Sequence, residues 1–158
     1  SNNIELAGIT YTPAAMMLQM AEQTASMEGI MRESAKETKT KTKPQRIEAG
    51  SKGEGPGVVA RGDLVQSTAV MIRNSRIAEI APVAAMTLRG IPRIVDGGKG
   101  DMTIDDYLAV AKQYEAARED IRRAFEGMSV EEQMVGKSIV RKLRAKDESQ
   151  LEMQRDRS

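Results

Sequence analysis

The residues best suited to chemistry are a group of basic side chains between positions 137 and 146, with no acidic residue among them. On an α-helix, Lys137, Arg141 and Arg144 share one face because they are three or four residues apart. Such a face can bind phosphate or another anionic surface. Basic residues also suit the end of a helix, where backbone carbonyl groups carry partial negative charge. Both interpretations remain open from the sequence.

A second basic group lies in the segment 36–57, where lysine alternates with threonine before an arginine: Lys39, Lys41, Lys43 and Arg46. Four glycines and a proline then follow between positions 50 and 57, which disfavours regular structure. We interpret 36–57 as a flexible linker, or as an arm laid over a neighbouring subunit. Its charge also allows contact with nucleic acid, although it has no interleaved aromatic residues on which bases would stack.

Catalytic and metal-binding side chains are scarce in this sequence. The chain has no histidine and no cysteine, so the commonest general base and the usual ligands of transition metals are missing. Carboxylate pairs occur at Asp105/Asp106 and Glu131/Glu132, but both pairs begin helices, where the helix dipole explains them. We therefore predict that the protein is not an enzyme and holds no cofactor or metal.

Two amphipathic helices within residues 101–145 position the first basic group. Thr103 and Asp106 match the start of one helix, and Ser129 and Glu132 form the capping box of the next. The short connection between the helices predicts an antiparallel helical hairpin. This pair alone is marginally stable, so we expect it to pack on the rest of the chain or on other copies.

Gly136 lies inside the second of these helices. A glycine there destabilises the helix by roughly 1 kcal/mol relative to alanine. Close packing of a neighbouring backbone would be one reason to keep it.

Residues 1–35 are interpreted as an N-terminal arm and a methionine-rich helix that begins at Thr12-Pro13. Spacings of four, seven and four place four methionines on one face of this helix: Met16, Met20, Met27 and Met31. Methionine suits adaptable binding surfaces and irregular cores alike. These residues are therefore candidate partner contacts, with an ordinary core helix as the alternative.

Residues 58–100 form a compact middle segment of ambiguous structure. We favour a helix over 65–80, with a short β-hairpin as the alternative. A second short helix is expected from Val83 to Arg89, ended by Gly90 and Pro92. After the hairpin, residues 146–158 make a charged tail, expected to be a frayed helix end or disordered.

The predicted fold class is mainly α, with extended arms and a linker around the C-terminal hairpin. No apolar run approaches the roughly twenty residues of a membrane helix, and no secretory signal is recognisable. The net charge of +1 gives no overall electrostatic preference for nucleic acid or membrane. The expected location is a virion or the cytoplasm.

The leading functional hypothesis is a non-enzymatic structural subunit that binds protein partners or copies of itself in a larger particle. The Met- and Ala-rich helices, the polar arm and the lack of cysteine resemble in style the small internal, adaptor or tail-associated proteins of phage virions. One alternative is an accessory protein that binds nucleic acid through its basic segments. Another is a secretion-system component or chaperone with a methionine-lined groove.

Overall fold

A computed structural model describes residues 3–6, 8–40, 44–45, 58–95, 98 and 100–157. Over these residues the chain is mainly α-helical, as predicted, with six helices and two pairs of very short strands. In chain order the elements are β1 (Ile4–Leu6), β2 (Ile9–Tyr11), α1 (Pro13–Thr38), β3 (Pro44–Gln45), β4 (Val58–Val59), α2 (Arg61–Ser75), α3 (Ile77–Ile80), α4 (Pro82–Val95), α5 (Ile104–Glu126) and α6 (Val130–Arg157).

Helix α1 is the element on which α5 and α6 both pack. It begins as predicted, with the Thr12 hydroxyl accepting from the Ala15 backbone N–H at 3.4 Å and with Pro13 in the first turn. It continues to Thr38, so Lys36 belongs to the helix and not to a linker.

The predicted cap of α5 is complete, whereas the predicted capping box of α6 is formed in part, since Glu132 Oε1 accepts from the Ser129 hydroxyl at 3.0 Å and not from its backbone N–H. Thr103 Oγ1 accepts from the Asp106 N–H at 3.1 Å, and Asp106 Oδ2 accepts from the Thr103 N–H at 3.0 Å. Ser129 Oγ accepts from the Glu132 N–H at 3.1 Å at the start of α6. These hydrogen bonds use backbone groups that would otherwise lack partners at a helix start.

Ion pairs fix the direction of α5 relative to α1. Glu28 pairs with Arg118, and Arg32, one turn later on α1, pairs with Glu115, which is earlier on α5. The two helices are therefore antiparallel.

Gly136 of α6 lies against Ala14 of α1, and Arg144, later on α6, pairs with Glu22, later on α1, so these two helices are parallel. Helices α5 and α6 therefore point in opposite directions, as expected for a hairpin.

The predicted hairpin needs one correction, since α5 and α6 pack mainly against α1 and much less against each other. The physical reason is that α1 offers buried methionines and alanines along its length, so each helix buries its apolar face there. The N-terminal β2 strand provides a further contact for α6.

The middle of the chain is helical, so the helix interpretation of 65–80 is confirmed and the β-hairpin alternative is wrong. Arg76, with φ of 55°, breaks this region into α2 and α3. A β-hairpin forms instead at the N-terminus, where β1 and β2 pair antiparallel and Gly8 has φ of 77°.

Helix α4 continues through Gly90 and Pro92, where the sequence predicted its end. Pro92 is in the last turn, so its ring costs the helix only one late hydrogen bond, to the Leu88 carbonyl. Gly90 leaves room for the Gln113 side chain of α5, since a Cβ there would be 2.8 Å from Gln113 Nε2. That same amide donates to the Thr87 carbonyl at 2.8 Å.

Arg61 joins the start of α2 to the end of α4 and the start of α5. Its guanidinium donates to the carbonyl oxygens of Val95 (2.6 Å), Gly100 (3.1 Å) and Asp101 (3.3 Å), and to Asp106 Oδ2 at 3.1 Å. The arginine thus caps the carbonyl end of one helix while it pairs with the first-turn carboxylate of another.

The core is one continuous cluster contributed mainly by α1, α2, α4 and α5. Its largest fully buried side chains include Tyr107 and Tyr114. The Tyr107 hydroxyl donates to the Val59 carbonyl at 2.5 Å, and the Tyr114 hydroxyl is 3.1 Å from Thr68 Oγ1. The helical pair therefore obtains its missing packing from the rest of its own chain.

The strands β3 and β4 pair in parallel, with Pro44 opposite Val58. Residues 41–43 and 46–57, which make up most of the predicted linker, lie outside the described residues. The predicted charged tail continues as helix α6 to Arg157.

Candidate functional site: a basic cleft between α1 and α6

The close approach of α6 to α1 depends on Gly136, and the close backbone packing that would explain a glycine inside this helix is present. A Cβ built on Gly136 would be 2.7 Å from the Ala14 Cβ and 3.0 Å from the Ala15 backbone nitrogen. Real Cβ atoms essentially never come as close as 2.7 Å to a heavy atom to which they are not bonded. Only glycine therefore lets the first turn of α1 lie against the second turn of α6.

One turn further along both helices, the helices border an open cleft of about 280 Å³. We call it the basic cleft, and its lining residues are Leu18, Glu22, Lys137, Val140, Arg141 and Arg144. Two apolar side chains, one from each helix, lie among three cations and one carboxylate.

The charges of the basic cleft are only partly compensated. Arg144 forms an ion pair with Glu22 across the two helices. The Lys137 ammonium lies 6.0 Å from the centre of the Phe125 ring, within the range of a cation–π contact. Arg141 is exposed. The cleft therefore keeps a positive excess, and its guanidinium groups can bind carboxylates or phosphates through paired hydrogen bonds.

The structure confirms that Lys137, Arg141 and Arg144 share one face of a helix and brings all three to the cleft. Lys39 is exposed in the turn after α1, about 25 Å from Glu22 at the rise of an α-helix. The other basic candidates of the arm, Lys41, Lys43 and Arg46, lie outside the described residues.

The four methionine candidates are core residues in this fold. Met16, Met20, Met27 and Met31 are each exposed by 2% or less. Their interpretation as an open partner-binding face is therefore corrected in favour of the core alternative. The reason is that α5 packs along α1 and covers much of the α1 surface whose partner the sequence did not identify.

Sequence reasoning missed the contribution of α1 to the cleft. Leu18 and Glu22 are one turn apart on α1, next to the methionine face, and no motif marks them. The available signal was the glycine at 136, which indicated a close helix contact but not its partner.

A second surface of interest is α6 itself, because most of it lies outside the core. Its first turns expose Val130 (70%), Met134 (64%) and Val135 (50%). Residues 144–156 are all exposed, including Leu151 (55%) and Met153 (52%). An isolated helix of this length is only marginally stable in water. Because its side chains are exposed, the second half of α6 gains little stability from packing on the described part of the fold.

Within the described ranges, no three or more acidic side chains come together in a way that could hold a metal ion. In the same ranges, no helix is long and apolar enough to span a bilayer.

No family model, curated protein or solved structure matches the chain. Its function is therefore inferred from the basic cleft and from the exposed surface of α6.

Proposed function

We propose that the chain is a non-enzymatic assembly subunit of a larger macromolecular particle. One observation supports this most directly: five of the large apolar side chains exposed in the described part of the chain lie on α6, namely Val130, Met134, Val135, Leu151 and Met153. The core is already well filled without them. Grouped apolar side chains at a surface are typical of protein–protein contact sites, so α6 is the element proposed to bind neighbouring subunits.

As a setting we propose a phage virion, with the cytoplasm as the alternative location. The support is compositional: Met- and Ala-rich helices, a long polar segment and no cysteine. These features resemble those of small internal, adaptor or tail-associated virion proteins.

The experiment compares two double variants of the same residue types on different helices. Val130→Ser/Met134→Gln changes the exposed start of α6, and Val83→Ser/Met86→Gln changes an equally exposed face of α4 (61% and 70%). Native mass spectrometry of the full chain, purified with its bound partners, measures the assembled species. We expect the α6 variant to lose that species and the α4 variant to keep it, with unchanged circular dichroism for both. Equal behaviour of the two variants would contradict a role for α6.

A second candidate function, binding of nucleic acid, is favoured by the three cations gathered at the basic cleft. It predicts an affinity for duplex DNA that falls steeply with salt, because binding releases counterions from the phosphates. Lys137→Gln/Arg141→Gln/Arg144→Gln should abolish binding. The control Arg73→Gln/Arg89→Gln/Arg93→Gln removes the same charge from exposed sites on α2 and α4 and should bind nearly as well as the wild type. Absent or salt-independent binding would exclude this function.

The chaperone or secretion-system alternative loses the observation that motivated it. Its methionine-lined groove requires accessible methionines, and the four on α1 are buried.

A further inference from the structure

Helix α6 carries two exposed surfaces of opposite charge. The first is the basic cleft, with Arg141 and Arg144 on α6 and the apolar Leu18 and Val140 beside them. The second is the stretch 147–153, whose sequence Asp-Glu-Ser-Gln-Leu-Glu-Met combines three carboxylates with two exposed apolar side chains. The arginines of the first surface can pair with the carboxylates of the second, and the apolar side chains of the two surfaces can pack together.

The helical period places the two surfaces on one side of α6. Arg141, Arg144, Glu148 and Glu152 follow one another at three or four residues and so share a face. Leu151 lies at the edge of this face nearest to Val140. When two such helices lie antiparallel and cross near residue 146, each arginine faces a glutamate of the other helix.

We propose that a second copy of this chain docks residues 147–153 of its α6 into the basic cleft, while the first copy does the same in return. Arg144 then meets Glu148 of the other copy, and Arg141 meets Glu152. Leu151 of each copy lies against Leu18 of the other, at the edge of the cleft where Val140 is only 5% exposed. This inference rests on the proposed function, since it specifies a second copy as the neighbour that covers α6.

Three physical points favour a second copy as the occupant. The two surfaces are complementary in charge, and a twofold axis lets every contact occur twice. Residues 144–156 of α6 are all exposed relative to the described part of the chain, and a partner helix would supply packing for them. The Arg144–Glu22 ion pair is exposed on both sides (57% and 53%), so an added glutamate can join it at little cost in solvation.

Charge-reversal variants test the proposal, because the twofold symmetry brings each arginine of one copy to a glutamate of the other. Glu148→Lys/Glu152→Lys replaces the two glutamates of the proposed pairs by cations, and Arg141→Glu/Arg144→Glu replaces the two arginines by carboxylates. Sedimentation equilibrium of the full chain should show a wild-type dimer that each variant weakens about tenfold or more. An equimolar mixture of the two variants should form a dimer again. The control Glu33→Lys/Glu79→Lys makes the same change in net charge at exposed sites on α1 and α3 and should dimerise like the wild type.

Disulfide crosslinking tests the orientation, because the chain has no cysteine of its own. In the antiparallel dimer Arg141→Cys of one copy lies beside Leu151→Cys of the other, so only the mixture should crosslink. Crosslinking of the Arg141→Cys variant with itself would show a parallel arrangement and overturn the proposal.

The failure of this inference can be distinguished from failure of the assembly proposal. A wild-type chain that self-associates regardless of the charge reversals overturns the inference and leaves assembly intact. The same conclusion follows if the chain is monomeric alone but enters a larger complex through Val130 and Met134. A monomer that binds duplex DNA in the cleft overturns the inference and supports the second candidate function. A monomer with no partner overturns both.

Discussion

Gly136 of α6 packs against Ala14 of α1 with no room for a side chain between them, because a Cβ on the glycine would be 2.7 Å from the alanine Cβ. The contact sets the spacing of the helices that border the basic cleft. The position of the cleft thus depends on a residue that carries no charge and binds no ligand.

Replacement of Gly136 by alanine should therefore destabilise the protein although alanine is the better helix former. The gain in helix propensity is roughly 1 kcal/mol, whereas overpacking against backbone costs about 1–3 kcal/mol. Urea unfolding of the full chain measures the net effect. Gly29→Ala on α1 is the control, since no side chain or backbone of a neighbouring element in the described part of the chain lies within 4 Å of its Cβ position, and it should be neutral or stabilising. A stabilised Gly136→Ala protein would contradict the close packing of α6 on α1.

Arg61→Ala should destabilise the protein by about 1.5–3 kcal/mol, because it removes hydrogen bonds from one charged group to three carbonyl oxygens and a carboxylate. Arg61→Lys should recover little of this loss, since an ammonium group cannot span four acceptors. Denaturant midpoints measure both effects. Arg89→Ala, at an exposed site on the neighbouring α4, is the control and should change the free energy of unfolding by no more than about 0.5 kcal/mol.

The Glu28 carboxylate should make stability fall in acid. Burial tends to raise its pKa, but hydrogen bonds and positive charge from Arg32 and Arg118 outweigh burial and hold the pKa below its usual 4.5. The folded state therefore gains stability from ionised Glu28 above pH 4.5, and this gain is lost as pH falls through the folded pKa.

The measurement is the free energy of unfolding of wild type and Glu28→Gln from neutral pH downwards. Their difference should stay constant down to about pH 4.5 and shrink below it. Glu119→Gln, which alters an exposed pair with Arg122, should have a much smaller effect. A difference between wild type and Glu28→Gln that does not depend on pH would show that Glu28 is not an ionised partner of the two arginines.

Met20→Ala should destabilise the protein by about 2–5 kcal/mol, as expected for truncation of a side chain that is 2% exposed. Met86→Ala, at a site that is 70% exposed, should change stability by no more than about 0.5 kcal/mol. Thermal or urea unfolding distinguishes the two. A stable Met20→Ala protein with weakened assembly would restore the partner-binding interpretation of the α1 methionines.

Local signals in the sequence predict much of this fold. The caps at Thr12, Thr103 and Ser129 depend on hydrogen bonds within one turn, so residue types at fixed offsets identify them. The shared face of Lys137, Arg141 and Arg144 follows from helical period alone.

Contacts between distant elements are not predictable in this way. Gly136 indicates a close neighbour, but nothing in the pattern says that the neighbour is Ala14 or that Glu22 completes the cleft. The end of α4 differs from the prediction for another reason: Gly90 and Pro92 both suggest a stop, but Pro92 lies in the last turn, where it removes only one helical hydrogen bond.

The most direct test of the account is amide hydrogen exchange over residues 145–157 as a function of protein concentration. In a dilute monomer these amides belong to an unpacked helix and should exchange rapidly. We predict that their protection rises as the chain associates, while protection in the core of α1 and α5 stays constant. The contradicting result is an exchange rate of residues 145–157 that does not change with protein concentration, whether or not the chain associates. It would show that no neighbouring subunit covers the second half of α6.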